Sequence, residues 1–254
     1  MTQADEHIVV VEELTASYGN EVVLRKVSLR VRRGEVFVIL GSSGCGKSTL
    51  LKHMIGLYRP DAGRVLIGGR EITSAPEKER RRIVRDIGVT YQSGALFGSL
   101  TLFENVRLPL EELTDLPGNA MDTVVMMKLR TVGLGEYADY MPAELSGGMK
   151  KRAAIARAMV LGPEVLFLDE PSAGLDPVTS AGLDELILQL AQELDVTFVI
   201  VSHELASIET IADRVAMLDG EEKGLIAVGT PEELRERSED PRVRRFFARE
   251  AKLG

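Results

Sequence analysis

The sequence predicts an α/β fold that combines a parallel sheet, an antiparallel β subdomain and an inserted helical subdomain. Continuous apolar segments, typical of parallel strands buried on both faces, occur at Val36–Leu40, Val165–Leu168 and Thr197–Val201. Residues 27–31 instead alternate between apolar and polar side chains, which indicates a half-buried antiparallel strand. Residues 97–162 follow a helical period, so they form the predicted insertion.

The elements are predicted to belong to one domain, residues 1–254. Residues 1–96 and 163–239 would form the core with the β subdomain, residues 97–162 the helical subdomain, and residues 240–254 a C-terminal tail. The helical subdomain therefore interrupts the α/β core. A chain of this length suits one large α/β domain.

Local signals mark where the predicted helices begin. Thr101 and Glu104 form a capping box. Ser146 precedes a further helix, and Thr230 and Asp240 are each followed by proline, which favours the first helical position. These signals predict one helix in the first part of the insertion, one at its end and two near the end of the chain.

Other elements follow from short patterns. Strands are predicted at residues 65–67 and 87–91, a solvated helix at 76–86, a further helix around 183–194 and a late hairpin that turns at 221–224. An apolar stripe within the insertion is predicted to be core packing: Met121, Val124, Val125, Met127 and Leu129.

Composition excludes several classes of protein. No apolar run approaches the ~18 residues of a membrane-spanning helix. The net charge of −8 opposes attachment to nucleic acid, so we expect no nucleic-acid partner. The lone cysteine, Cys45, excludes an internal disulfide. The first six residues lack the basic and apolar regions of a signal peptide, which predicts a cytosolic location.

A glycine-rich loop follows the first apolar segment. It has the pattern GxxxxGK[ST] and consists of Gly41, Ser42, Ser43, Gly44, Cys45, Gly46, Lys47, Ser48 and Thr49. Backbone N–H groups of such a loop cradle phosphates at a helix N-terminus. Lys47 would reach the β and γ phosphates, and Ser48 would hold Mg²⁺. The sequence thus predicts a P-loop core that binds a nucleoside triphosphate.

Two further segments add to this chemistry. The strand Val165–Leu168 leads into Asp169, which would assist Mg²⁺, and Glu170, which could act as general base on the attacking water. Ser146, Gly147 and Gly148 open a helix whose N–H groups make a second phosphate-seeking surface. One nucleotide rarely needs two cradles, so we expect the second cradle to serve a neighbouring subunit.

This ordered set resembles the ATP-binding cassette (ABC) family over essentially the full chain. In that resemblance Tyr18 stacks on adenine, Gln92 senses Mg²⁺ and the transport partner, Asp176 belongs to the D-loop, and His203 is the switch histidine. The resemblance implies an ATPase that binds ATP and Mg²⁺. It also implies a head-to-tail dimer that sandwiches two ATP molecules. In the same resemblance, residues 41–49 are the Walker A loop and residues 145–149 the signature loop, where Met149 replaces the usual glutamine.

A narrower resemblance is to the Mla-type phospholipid ATPases, which share this methionine. It rests also on the segments 92–97, 125–129, 144–152 and 240–247. It implies an integral membrane permease, a substrate-binding protein of the MCE class and a small STAS-like accessory protein as partners. It places the chain peripherally on the cytoplasmic face of the bacterial inner membrane. The implied function is ATP-driven movement of phospholipid between membranes.

Other functions stay open at this stage. The same ATPase could serve another cargo, such as an amino acid, a metal or a drug. A non-transport ABC protein acting on DNA or ribosomes is disfavoured by the short Walker A to signature interval, the single cassette and the acidic charge. A nucleotide-gated adaptor without turnover is disfavoured by Glu170 and His203.

Two segments carry sharper expectations. Cys45 lies at a helix N-terminus, where a thiolate is favoured, so we expect maleimide to modify it and ATP to protect it; the alternative is a buried, inert thiol. Val243, Phe246 and Phe247 fall on one helical face of the tail. We expect that face to dock on an adjacent subunit or an accessory protein; the alternative is packing on the chain's own core.

Overall fold

A six-stranded sheet forms the centre of the structure, a computed structural model that describes residues 6–248. Its strand order is β10-β9-β3-β8-β7-β6, and β10 is the antiparallel member. Its strands are β3 (Val36–Gly41), β6 (Ile87–Thr90), β7 (Val165–Asp169), β8 (Thr197–Val201), β9 (Arg214–Asp219) and β10 (Gly224–Gly229). The three continuous apolar segments of the sequence are thus adjacent parallel strands, as predicted.

A four-stranded antiparallel sheet covers part of this central sheet. Its order is β2-β1-β4-β5. Its strands are β1 (His7–Tyr18), β2 (Glu21–Arg32), β4 (Ala62–Ile67) and β5 (Arg70–Glu71). Val27, Leu29 and Val31 of β2 are buried while their neighbours are exposed, which confirms the predicted alternation.

Helices connect the strands and fill both sides of the central sheet. They are α1 (Lys47–Met54), α2 (Glu77–Arg85), α3 (Leu102–Leu113), α4 (Gly118–Thr131), α5 (Gly147–Ala158), α6 (Pro177–Leu194), α7 (Leu205–Ile211), α8 (Pro231–Arg237) and α9 (Pro241–Phe247). The predicted capping box of Thr101 and Glu104 is present at the start of α3. Ser146, Thr230 and Asp240 cap α5, α8 and α9 as their sequence signals predict.

The central sheet separates two apolar cores. Val36, Val38 and Leu40 of β3 face the core that includes the inserted helices, whereas Phe37 and Ile39 face the core shared with α1 and the antiparallel sheet. All five of these side chains are at most 2% exposed. Burial of both sheet faces explains why the strands carry unbroken apolar runs.

The inserted helices α3, α4 and α5 pack against one another. Met121, Val125 and Leu129 of α4 are buried in their core, as the predicted stripe requires. Met127 is an exception, because its side chain is 53% exposed. The prediction that Met127 packs in the core is therefore wrong. Met127 lies two residues from both Val125 and Leu129, and residues with this spacing do not share a helix face, so Met127 lies on the outer face.

The tail differs from expectation. Val243 and Phe247 of α9 are 0% and 5% exposed and belong to the chain's own core, while Phe246 packs partly against the same core. Arg242 anchors the helix by ion pairs to Asp219 and Asp240. The expected docking of this face on a partner is thus wrong for residues 240–248; the remaining part of the predicted tail lies outside the described residues.

Candidate active site

Four parallel strands bring the predicted site residues to one edge of the central sheet. The strands β3, β8, β7 and β6 are neighbours and point the same way, so their carboxyl ends meet at this edge. A cavity lies here. Its lining includes Tyr18, Gly41, Ser42, Ser43, Gly44, Gly46, Lys47, Ser48, Thr49, Gln92, Glu170 and His203. Most residues assigned to the nucleotide from sequence therefore surround one space.

The glycine loop leaves β3 through a very close approach to β9. Gly41 has a φ of 152°, and a Cβ there would lie 2.4 Å from the carbonyl oxygen of Leu218. A side chain at this position would thus collide with backbone. Lys47 is nearly buried, and its ammonium donates hydrogen bonds to the carbonyls of Gly41 (2.9 Å) and Ser42 (3.1 Å). These bonds hold a positive charge at the loop and leave one ammonium N–H for an anion.

Side-chain oxygens that are suitable ligands for Mg²⁺ lie beside the glycine loop. The Ser48 hydroxyl donates to Oδ1 of Asp169 at 3.1 Å, and Asp169 is 8% exposed. Gln92 lines the same cavity. Hydroxyl, carboxylate and amide oxygens are hard ligands, and Mg²⁺ takes few of them from protein because phosphates and water supply the others. The residues present fit the ion, and Ser48, Asp169 and Gln92 would hold it.

Glu170 is held in an unusual conformation. Its φ is 49°, a left-handed value that costs energy for a residue with a side chain. Its backbone N–H donates to the carbonyl of Val201 at 2.9 Å, which ties it to the end of β8. The carboxylate is nearly buried, and its Oε2 atom has no hydrogen-bond partner among the residues that the structure describes. A buried oxygen without a partner, at the wall of the cavity, is suited to accept a proton from water.

His203 contacts the other carboxylate oxygen. Its Nδ1 atom lies 2.9 Å from Oε1 of Glu170. Because an ionised carboxylate only accepts hydrogen bonds, Nδ1 carries the proton in this contact. The Nε2 atom then lacks a proton on a neutral ring. The His203 side chain is 60% exposed, so a group that enters the cavity can reach it.

The predicted residues of the second cradle lie outside this cavity. Ser146 caps α5 and accepts from the backbone N–H of Met149, with Gly147 and Gly148 in the first turn. Asp176 caps α6, and the hydroxyl and backbone N–H of Thr179 hold the pKa of its carboxyl below the ordinary value. Within one chain these loops therefore form a surface separate from the nucleotide cavity.

The two loops of this separate surface lie against each other. A Cβ on Gly148 would lie 2.4 Å from Cγ2 of Thr179, so the first turn of α5 approaches α6 too closely for a side chain. The segments around Ser146 and Asp176 are thereby presented side by side.

The Cys45 side chain is buried, contrary to the prediction from sequence. Its side chain is 1% exposed and packs in the core beneath the loop, so it does not line the cavity. Burial raises the pKa of the Cys45 thiol, and this outweighs the opposing charge of Lys47. The predicted reactive thiolate is therefore wrong. The loop pattern fixed the position of the residue but carried no signal for the direction of its side chain.

Sequence reasoning missed three residues at the site. Val23 and Phe246 line the cavity, and Lys151 donates to the backbone carbonyls of Gln92 and Glu170. Phe246 carried a signal as part of an apolar helical face, but nothing in the pattern related that face to the glycine loop. A lysine within a basic helix gives no sign that its ammonium turns inward.

A glycine loop at the end of a central strand, an inward lysine and a carboxylate pair at the end of β7, two strands away in the same sheet, define a P-loop nucleoside triphosphatase. A family model described as ABC transporter matches residues 24–173. The chain belongs to the ABC transporter family; it is an ATP-binding subunit, and it hydrolyses ATP.

Relatives extend this similarity beyond the matched segment. The chain is 40% identical over 247 residues to the intermembrane phospholipid transport system ATP-binding protein MlaF of Escherichia coli (strain K12), covering 97% of this chain and 91% of that protein. It is 43% identical over 237 residues to the probable ribonucleotide transport ATP-binding protein mkl of Mycobacterium leprae, covering 93% of this chain and 67% of that protein. The chain spans 65% of the mkl of Mycobacterium tuberculosis.

Solved structures share the fold. The cbiO1 protein of Clostridium perfringens, part of the ABC transporter complex cbiONQ, has a TM-score of 0.83 and 31% identity, covering 91% of this chain and 92% of that one. The dimeric ATP-binding cassette MJ0796, bound to ADP and Pi, has a TM-score of 0.79 and 30% identity, covering 87% and 98%. Within the described residues, no helix has both the length and the apolar character needed to cross a bilayer.

Proposed function

We propose that this ATPase drives the movement of phospholipid between membranes. The similarity to MlaF carries the cargo assignment, because it covers 97% of this chain and 91% of that protein. The cavity supports the hydrolytic part. There, Lys47 would bind the β and γ phosphates, and Ser48, Asp169 and Gln92 would hold Mg²⁺, which neutralises developing charge. Tyr18, 51% exposed at the cavity wall, would stack on the adenine.

Glu170 would act as general base on the attacking water. Its Oε2, which has no hydrogen-bond partner in the described part of the chain, would accept the proton, while the contact of Oε1 with His203 fixes the carboxylate plane. With a second proton, on Nε2, His203 would donate a hydrogen bond to the terminal phosphate. In this arrangement the chain supplies positive charge to the phosphates and a single negative group to the water.

We infer that two copies form a head-to-tail dimer. The nucleotide cavity of the same chain does not include Ser146, Gly147, Gly148 or Asp176. The first three begin a helix whose N–H groups attract phosphate, and Asp176 caps the start of another helix. A second copy would bring them over the nucleotide. The dimeric state of the related cassette MJ0796 supports this.

The membrane partners follow from the same proposal. An integral permease, an MCE-class substrate-binding protein and a small STAS-like accessory protein would place the chain on the cytoplasmic face of a bacterial inner membrane. A surface groove between the core and the inserted helices would receive the permease. Its apolar lining includes Leu57, Val84, Tyr91, Pro109 and Leu113, with Arg80 and Arg157 at the same groove.

A second cargo is favoured by one observation. The mkl relatives, 43% identical to this chain, are named for ribonucleotide transport. Both cargoes require the same ATPase, so they are distinguished by what the assembled transporter carries.

The test begins with the chain purified from its native membranes together with bound partners. Mass spectrometry would identify the permease and the retained small molecules, and the complex would then be placed in vesicles that hold labelled phospholipid or labelled ribonucleotide. We expect ATP-dependent transfer of phospholipid. Lys47→Ala should abolish it, whereas Lys52→Ala, on the same helix, should not. Transfer of ribonucleotide with no transfer of phospholipid would overturn the proposed cargo.

A further inference from the structure

Lys151 lies on α5, about one turn beyond the cap at Ser146, and its side chain reaches back to the core of the protein. Its ammonium donates a hydrogen bond to the backbone carbonyl of Gln92 and another, at 3.1 Å, to the backbone carbonyl of Glu170. These two carbonyls follow neighbouring strands, β6 and β7. One side chain from the inserted helices thus joins two segments of the candidate active site.

Partial burial of the Lys151 ammonium costs free energy unless the ammonium makes hydrogen bonds. Burial lowers the pKa of Lys151, while the carboxylates of Glu170, Asp169 and Glu204 oppose that shift. A partly desolvated cation is stabilised by charge-assisted hydrogen bonds to carbonyl oxygens. The two backbone bonds, together with the attraction of these carboxylates, therefore keep the side chain turned inward.

The hydrogen bond from Lys151 restrains the backbone of Glu170. Its backbone is in the left-handed region, with a φ of 49°. The N–H of Glu170 is held by the carbonyl of Val201, and its own carbonyl is held by Lys151. Both polar groups of the strained residue are thus tied down, one from the sheet and one from the inserted helices. The direction of the carboxylate depends on both ties.

A second basic residue shows that α5 holds the adjoining loop as a whole. Arg157 donates to the carbonyls of Gly94 (3.0 Å) and Ala95 (2.8 Å), and its guanidinium lies 5.8 Å from the centre of the Phe97 ring. Arg157 touches the loop farther from the cavity and does not touch Glu170. Lys151 therefore differs from Arg157 by its contact with the proposed general base.

We propose that Lys151 is a positioning residue for hydrolysis: it fixes the backbone of Glu170 and couples that residue to the Gln92 loop and to the inserted helices. The inference rests on the proposed role of Glu170 as general base. A displacement of α5 relative to the central sheet would break the bond to Glu170 and release the carboxylate from its working direction. The rate of ATP hydrolysis would then depend on the position of the inserted helices within the same subunit.

The test compares three variants of the full chain by steady-state ATP hydrolysis, ATP binding and thermal unfolding. Lys151→Gln should lower kcat about tenfold or more, as misplacement of a reacting group does. The KM for ATP should change less than about twofold, because phosphate-binding groups are untouched. Lys151→Arg, which keeps a long cationic donor, should recover much of the loss. Lys128→Gln is the matched control, since burial also lowers the pKa of Lys128 on an inserted helix.

Two results with the Lys151 variants alone would overturn the proposal. One is an unchanged kcat in Lys151→Gln. The other is a loss of kcat that is accompanied by an equal rise in KM, a lower melting temperature and no recovery in Lys151→Arg, which would mark a merely structural residue.

Glu170→Gln separates this inference from the function it rests on. If Glu170 is the general base, that variant alone should lose turnover, and adding Lys151→Gln should cost little more, because the two residues act as a unit. Full additivity in the double variant would overturn the role of Lys151 while leaving that of Glu170 intact. Normal turnover in Glu170→Gln would instead overturn the general-base assignment itself.

Discussion

His203 and Glu170 meet across the ends of two adjacent strands, with Nδ1 of the histidine 2.9 Å from Oε1 of the glutamate. They are 33 residues apart in sequence, and the parallel pairing of β7 with β8 brings them together. The contact orients the carboxylate through one oxygen, and the other, Oε2, is buried without a hydrogen-bond partner from residues 6–248. An orienting group and a proton acceptor are thus built from neighbouring strand ends.

Glu170→Gln tests the general base. We expect hydrolysis to fall by roughly 10²–10⁴-fold, because a carboxamide cannot accept the proton of water. ATP binding should persist, since the glycine loop is unaltered. The measurements are steady-state hydrolysis and fluorescence titration with ATP. Glu193→Gln, on the exposed side of α6, is the control and should hydrolyse normally; turnover near the wild-type rate in Glu170→Gln would exclude the assigned role.

Mixed dimers test the shared site. Lys47→Ala and Ser146→Arg should each inactivate a homodimer, because each removes one half of both composite sites. A mixture should regain partial hydrolysis, since one pairing carries both lesions in a single site and leaves the other site whole. The measurement is ATPase activity across mixing ratios. Normal hydrolysis by Ser146→Arg homodimers would contradict a role for this loop opposite the nucleotide.

Cys45 should react slowly with maleimide in the folded protein. Its thiol is 1% exposed, and burial disfavours the thiolate, which is the reactive form. Labelling followed by mass spectrometry should give the same slow rate with and without ATP and a fast rate in denaturant. The Cys45→Ala variant provides the unlabelled baseline. Rapid labelling that ATP blocks would contradict the buried position.

Phe247→Ala should destabilise the isolated chain. The side chain is 5% exposed in the main core, and truncation of a buried phenylalanine costs about 3 kcal/mol or more. Denaturant unfolding of the purified chain measures this loss. Arg244→Ala on the exposed face of the same helix serves as the control and should change the free energy of unfolding by at most about 0.5 kcal/mol. Equal stability of the two variants would mean that α9 is not packed on its own core.

Asp240 makes the stability of α9 depend on pH. Hydrogen bonds from Arg242, with the helix cap, lower the pKa of Asp240 to about 2. Because the folded pKa lies below the ordinary value of 3.8, the carboxylate stabilises the fold above about pH 4, and this contribution disappears as the pH falls towards 2. Asp240→Asn should be less stable than wild type at pH 7, and the difference should shrink between pH 4 and pH 2. Urea unfolding across that range measures it; a difference that grows on acidification would contradict the sign.

The sequence predicted the site where the chemistry depends on local pattern. The glycine loop and Glu170 were found because each follows a continuous apolar strand, and parallel strands place such residues at one edge. The direction of the Cys45 side chain could not be predicted, because it depends on the packing beneath the loop. The division of the chain at residues 96, 162 and 239 stays a prediction.

Tertiary contacts account for the remaining differences. Phe246 and Phe247 form an apolar face, and its sequence pattern is the same whether a partner or the chain's own core covers it. The tertiary structure therefore determines what covers this face. Lys151 is similar, since its two carbonyl partners come from loops 59 and 19 residues away. Such contacts leave no periodicity in the sequence.

The position of β3 between β8 and β9 has a consequence for how the protein is made. Both native neighbours of the strand that carries the glycine loop come from residues 197–219, about 160 to 180 residues later in the chain. At a synthesis rate of about 5–20 residues per second, the ribosome takes roughly 10 to 35 seconds to supply them. During that interval a wholly apolar strand waits for its native partners, and ATP cannot stabilise the nascent chain. Nucleotide binding is thus acquired only after residues 197–219 have emerged.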